Sequence, residues 1–187
     1  PLKTQLHTHE YIELSYVVAG EFRQQILGRE VLFRPGDLCL LDRNCLHQDC
    51  LTEKPAIVLF FSISNSIFED IMCHHIATER IVTFLRSALM RQKNLQQYLH
   101  FKPRGQAAAQ KMERTVHTLL QELSLYDQAS YYICHGLLLR IFHFLSTEYH
   151  FYAFRNLKKE MNWFHFEEIT SYMKEHLRDI TVRRLAE

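Results

Sequence analysis

The sequence lacks an excess of charge of either sign: 22 Lys and Arg stand against 21 Asp and Glu, for a net charge of +1. That balance excludes a global electrostatic footprint for nucleic acid, so any DNA contact must come from a local basic patch. No apolar run reaches the ~18 residues that a membrane-spanning helix needs, and no secretory signal opens the chain. A membrane partner is therefore not expected. The five cysteines (Cys39, Cys45, Cys50, Cys73, Cys134) are odd in number, scattered, and form no CxxC pair. A disulfide framework is excluded, and the thiols read as reduced cysteines of a cytoplasmic protein. Cys45-x-His47-x-x-Cys50 and Cys73-His74-His75 have metal-like spacings, but neither recurs in the paired form of a zinc site. They read as incidental. An initiator methionine is also missing: the chain opens on Pro1, which suggests a start inside a longer reading frame. What remains is 47% hydrophobic and 23% charged over 187 residues. That composition supports one good globular core, or two small ones.

The most informative stretch is His7-Thr8-His9-Glu10-Tyr11-Ile12-Glu13-Leu14-Ser15-Tyr16-Val17-Val18-Ala19-Gly20. On a strand, alternate side chains share a face. His7, His9, Tyr11, Glu13 and Ser15 therefore point one way, and Ile12, Leu14, Tyr16 and Val18 the other. A second segment, Arg34-Pro35-Gly36-Asp37 through His47, supplies a turn, an apolar strand at Leu38–Leu41 and one more histidine. Pro35 presets φ and Gly36 accepts a positive φ, which marks a turn.

Short strands with turn signals follow one another to residue 63. Phe22–Leu27 alternates, Gly28-Arg29 predicts a hairpin turn, Val31-Leu32-Phe33 follows, and Ala56–Ile63 is rich in β-branched and aromatic residues. Such spacing predicts a barrel or sandwich. From Ser64 the period becomes helical: Phe68, Ile71, Met72, Ile76, then Ile81, Phe84, Leu85, Leu89. Phe101–Gly105 reads as a break between helices. Ala109, Met112, Val116, Leu119 and Leu123 alternate steps of three and four, a heptad seam. A second helix is expected from about Tyr131 to Tyr149, joined to the first by the turn Tyr126-Asp127-Gln128 into a helical hairpin. An aromatic, basic linker is expected next. Another helical stripe then runs Phe166, Ile169, Tyr172, Met173, Leu177. Thr181 is a good N-cap for a helix that has barely begun at Glu187.

His7-x-His9-x3-Glu13-x6-Gly20 resembles the first motif of the cupin barrel. The second cupin motif is matched in part, by Gly36 and His47, with Asp42 where cupins usually have Pro, Asn44 where Gly is usual, and Leu51 where Asn is usual. The order of the whole chain resembles bacterial transcription regulators of the arabinose-regulator (AraC) family, and Ile169–Ala186 is similar to the opening of that family's DNA-binding region. The resemblance implies an α+β fold: an N-terminal cupin-like β-barrel, a helical dimerisation hairpin, and the start of an all-α helix-turn-helix region. Residues 1–152 would be the effector-binding and dimerisation domain, with the barrel at 1–65 and the helical part at 66–152. Residues 153–164 would be the linker, and 165–187 the truncated start of the helix-turn-helix domain.

The same resemblance implies a regulator rather than an enzyme, acting as a homodimer, with DNA bound by the full-length protein. The effector would be a small molecule in the barrel, in one version a sugar, met by Tyr11, Glu13, Ser15, Gln24 and His47. Tyr11 either stacks on a ligand ring or is plain core. His7, His9, Glu13 and His47 are the residue types that hold a transition metal in catalytic cupins. Alternatively they hydrogen-bond one another or line a pocket. No cofactor is required by the regulator reading; a metal-dependent cupin enzyme is the runner-up. Met112, Val116, Leu119 and Leu123 are read as a dimer face, with intramolecular core as the alternative. Lys174, Arg178, Arg183 and Arg184 lie where phosphates would be approached, and such contacts position without specifying sequence.

Overall fold

The computed structural model describes residues 2–89, 97–125 and 127–155. The expectations for 156–187, including the helix-turn-helix start and Lys174, Arg178, Arg183 and Arg184, lie outside the described residues. Eight strands and four helices are found among the described residues: β1 (Ile12–Ala19), β2 (Phe22–Ile26), β3 (Arg29–Phe33), β4 (Leu38–Leu41), β5 (His47–Cys50), β6 (Ile57–Ile63), α1 (Asn65–Cys73), α2 (Glu79–Leu89), β7 (Gln97–Pro103), α3 (Gln106–Leu125), α4 (Gln128–Thr147) and β8 (Tyr149–Arg155). The mixed α+β character matches the expectation.

The strands form two sheets, a five-stranded one in the order β6-β1-β4-β7-β8 and a three-stranded one in the order β3-β2-β5. The expected closed barrel is thus an open, two-sheet arrangement among the described residues. The reason is that the chain changes sheet at tight turns, not along a continuous ladder. Gly20 turns β1 toward β2 at φ +76°, and Arg34–Asp37 turns β3 into β4 with Gly36 at φ +89°. In that second turn the Asp37 N–H donates to the Arg34 carbonyl at 2.9 Å. Pro at the second position and a positive-φ Gly at the third are the marks of a type II turn. The β2–β3 hairpin turns on Leu27 and Gly28, both at positive φ, one residue earlier than the sequence suggests.

Two faces of the large sheet explain the alternation in β1. Ile12, Leu14 and Tyr16 face the helices, in one core with Leu38, Leu40, Leu99, Phe101, Phe68, Phe84 and Phe142. Val17 lies in a second core with Phe22, Ile26, Phe33, Cys39, Leu41 and Tyr98. Residues facing each other across antiparallel ladders share a side, so Glu13 and Ser15 belong with Val17, on the side of the small sheet. The order is therefore small sheet, large sheet, helices.

Three strands escaped the sequence reading. β5 (His-Gln-Asp-Cys) is too polar to signal a strand. β7 falls inside 66–152, the stretch read as helical, and β8 runs into 153–164, the stretch read as linker. β7 pairs with β4 on one side and β8 on the other, so both complete the large sheet. Both faces of β7 are covered, which erases the polar–apolar alternation that would have revealed it.

The helical hairpin is present, with α3 ending at Leu125 and α4 starting at Gln128. Asp127 caps α4: its Oδ1 accepts from the Ser130 N–H at 2.8 Å. The dimer face needs correcting. Met112, Val116 and Leu119 are 0%, 3% and 1% exposed within a single chain, in the same core as Ile141, Phe142 and Leu145 of α4. Their heptad spacing records packing between α3 and its own neighbours. Only Leu123, 46% exposed, remains on the surface.

Candidate functional site

Residues 2–9 lie antiparallel to β5 and extend the small sheet. Thr4 N–H donates to the Asp49 carbonyl at 2.9 Å, and His7 and His47 exchange backbone hydrogen bonds at 3.0 and 3.1 Å. That exchange sets His7 directly opposite His47. Their rings stand 4.3 Å apart. His9 closes the group, with its ring 4.9 Å from that of His47. One ring nitrogen from each of His7, His9 and His47 lies within 4.8 Å of the other two.

The tautomers are set by the backbone. Nδ1 of His7 is 2.8 Å from the Gln5 carbonyl, Nδ1 of His9 is 3.2 Å from the Tyr11 carbonyl, and Nδ1 of His47 is 2.8 Å from the Cys45 carbonyl. A carbonyl can only accept, so each Nδ1 carries the proton. In a neutral imidazole the lone pair is then on Nε2. The three rings thus meet with Nδ1 turned to the backbone. The carbonyls of Gln5, Tyr11 and Cys45 are partners of these rings that no side-chain pattern could reveal.

Glu13 adds a carboxylate. Its Oε2 is 3.3 Å from His9 Nε2. The contact is close enough for charge attraction, yet His9 Nε2 and Glu13 Oε1 are both buried without an aligned hydrogen-bond partner. Burial opposes protonation of His9, but the adjacent Glu13 carboxylate outweighs it, with help from the Tyr11 carbonyl, and the pKa is raised. Burial lowers the His47 pKa, helped by the nearby His7 and His9 and opposed by the Cys45 carbonyl and Glu13. A site with one imidazole kept neutral, a second against a carboxylate, a third beside them and an unpartnered carboxylate oxygen has the residue types of a transition-metal site. Orphaned buried donors and acceptors are costly, and an ion would satisfy them. The donors fit Zn, Fe, Ni or Mn, and the Nδ1–carbonyl bonds are the outer contacts that orient metal-binding histidines.

The other expected ligand residues are placed differently. Tyr11 is neither core nor free: it is 41% exposed and stacks on His9 at 4.1 Å with planes 5° apart. Ser15 and Gln24 are buried. Gln24 Nε2 donates to Asp49 Oδ1 at 3.0 Å, and its Oε1 has no partner. Asn44, in the place of the usual cupin glycine, takes a left-handed φ of +57°, which Asn tolerates better than other side chains. It donates its N–H to the His9 carbonyl at 2.9 Å and so holds the second histidine in position.

Residues 3–62, about the first third of the chain, match the family model for the Cupin domain. No curated protein matches the chain. Among solved structures, an apo variant of ToxT from Vibrio cholerae aligns over 98% of this chain and 64% of its own, at 11% identity and a TM-score of 0.46. Wild-type ToxT from the same organism, solved with a bound unsaturated fatty acid, aligns over 75% of this chain and 47% of its own, at 14% identity and a TM-score of 0.43. The chain thus spans less than two thirds of either structure. Among the described residues, no helix is long and apolar enough to cross a membrane.

Proposed function

We propose that this chain is the sensing region of a transcription regulator of the AraC type, and that His7, His9, His47 and Glu13 form its receptor site for a divalent transition metal. The observation that supports the receptor is the convergence of the His7, His9 and His47 rings, each offering a nitrogen within 4.8 Å of the others and each with Nδ1 against a backbone carbonyl. The regulator half of the reading rests on the order of segments in the sequence, and DNA contact belongs to the full-length protein.

The ion would be held by the three imidazoles and by Glu13, and it would supply a Lewis-acid centre for donor atoms of a small effector. The chain's own residues do the rest. Carbonyls fix the imidazole orientations, Tyr11 braces the His9 ring, and the exposed His7 leaves the site open to solvent. Residues 2–9 carry two of the proposed donors and are tied to β5 by backbone hydrogen bonds and to β2 by Lys3 Nζ on Gln25 Oε1. Binding at this site would therefore fasten that segment to the sheet and shift the population of its docked state.

Metal uptake is the test. The purified chain, stripped with chelator and titrated with Zn²⁺ or Ni²⁺ in a calorimeter, should take up one ion per chain. His9→Ala and His47→Ala should each weaken uptake by at least about tenfold, in the range seen when a metal site loses a supporting group. Absence of saturable uptake would remove the receptor. A metal-dependent cupin enzyme is the second reading, favoured by the same donor set. Oxygen consumption or substrate turnover by the metal-loaded chain would support it over sensing.

A further inference from the structure

A cavity that shares no residue with the histidine cluster opens where the end of β6 and the start of α1 meet the tip of the α3–α4 hairpin. Its volume is about 470 Å³, inside the range of roughly 300–1,000 Å³ typical of small-molecule sites. The floor is apolar, formed by Ile63, Ile67 and Leu138. One rim carries Ser62, Ser64 and Ser66. The opposite rim carries two carboxylates, Glu122 near the end of α3 and Asp127 at the cap of α4.

The charge of this cavity is one-sided. No Lys or Arg lines it among the described residues. Its histidine, His135, is engaged elsewhere, with Nε2 2.8 Å from Asp70 Oδ2. Ser130 Oγ lies 3.1 Å from Asp127 Oδ1 and 3.5 Å from Glu122 Oε2, so its one proton serves one carboxylate at a time. A carboxylate has about four acceptor positions, so each keeps capacity for a further donor. The exposed Tyr131 also lines the cavity, and an aromatic face attracts cations.

We propose that this cavity binds a small organic cation, an amine with a compact apolar body. The ammonium group sits between Glu122 and Asp127, and the body covers Ile63, Ile67 and Leu138. An anion is repelled by the paired carboxylates. A neutral apolar ligand would strip water from them without replacing its hydrogen bonds, which is costly. An ammonium supplies three donors and the opposite charge. The site joins the edge strand β6 to the tip of the hairpin, so an occupant ties the β layer to the helical layer. This inference is independent of the metal reading.

The probe is 2-phenylethylamine, with phenylacetate as the matched anion, titrated into the full 187-residue chain and followed by calorimetry and by ligand-observed NMR. The amine should bind saturably and phenylacetate should not. Glu122→Gln should weaken the amine by about tenfold, the loss of one charge-assisted contact. Asp127→Asn, which keeps a capping oxygen for α4, should do the same with an unchanged circular dichroism spectrum. His47→Ala should leave amine binding as it was, which separates this site from the histidine cluster. Leu138→Trp, which fills the floor, should abolish binding. Equal binding of phenylacetate, no saturable binding of the amine, or full affinity in folded Glu122→Gln would overturn the proposal.

Discussion

His100 Nε2 meets Asp37 Oδ2 at 3.0 Å, both side chains buried, across 63 residues of sequence. The contact ties β7 to the turn that begins β4. Asp37 Oδ2 also accepts the Arg34 N–H at 3.1 Å, and Tyr149 donates its hydroxyl to the neighbouring Gly36 carbonyl at 3.2 Å. Phe33 covers the His100 ring edge-on at 4.5 Å. This knot holds the late strands to the early ones.

Removing one side of that pair leaves the other buried and unpaired. Asp37→Ala should cost about 3 kcal/mol, the range for breaking a buried polar pair by deleting one partner. Urea unfolding measures it. Adding His100→Phe to Asp37→Ala should restore part of the loss, and strictly additive effects would argue against direct coupling.

Asp42 gives the stability a pH dependence of unusual sign. Burial raises its carboxyl pKa to about 6, against the opposing effects of the Arg43 N–H, the Gln97 side chain and the Arg43 charge. The folded state therefore holds this proton more tightly than the unfolded chain. The contribution of this group to stability falls as pH rises from about 4 to about 6, and the charged form is a burden at neutral pH. Asp42→Asn should raise stability at pH 7 by about 2 kcal/mol and gain little near pH 4. Denaturant midpoints at pH 4.5 and 7.5 decide the matter; a uniform gain at both would contradict the assignment.

Gly20, the last residue of the histidine-bearing motif, is held by geometry. Its φ is +76°, and a Cβ there would stand 2.3 Å from the Pro55 carbonyl oxygen. Gly20→Ala should destabilise by about 3 kcal/mol, the left-handed penalty plus the clash. A thermal melt is sufficient, and a loss below about 1 kcal/mol would show that the turn can relax.

The α3 seam is open to a direct check. If Leu119 packs inside one chain, Leu119→Ala should cost about 2–4 kcal/mol at every protein concentration. Were it an interface residue, the midpoint of unfolding would shift with concentration, because subunit association is a mass-action effect. Leu123→Lys, on the exposed part of α3, should leave monomer stability within about 0.5 kcal/mol. Light-scattering mass for this variant then reports whether that end of the helix joins two copies.

Much of the local structure was legible from the chain. Alternation in Ile12–Ala19, the Pro35-Gly36 turn and the three-and-four spacing of α3 and α4 are written in consecutive residues, because side-chain direction follows from backbone geometry alone. That His7, His9 and Glu13 share a face was legible for the same reason. That His47 joins them was not, since it depends on the pairing of residues 2–9 with β5, nor was the common tautomer of the three histidines, which depends on the carbonyl each ring reaches.

What the sequence determined by itself, then, is which elements have two unlike faces and which residues share each face. What only the tertiary structure decided is what covers those faces. Met112, Val116 and Leu119 form an apolar stripe whatever they pack against, and it is α4 and the sheet that bury them. β7 became a strand because β4 offered an open edge, and β8 because β7 then offered another, pairings between segments far apart in sequence. Local periodicity carries no information about such partners, because the free energy that selects them comes from burial and hydrogen bonding after the chain has closed on itself.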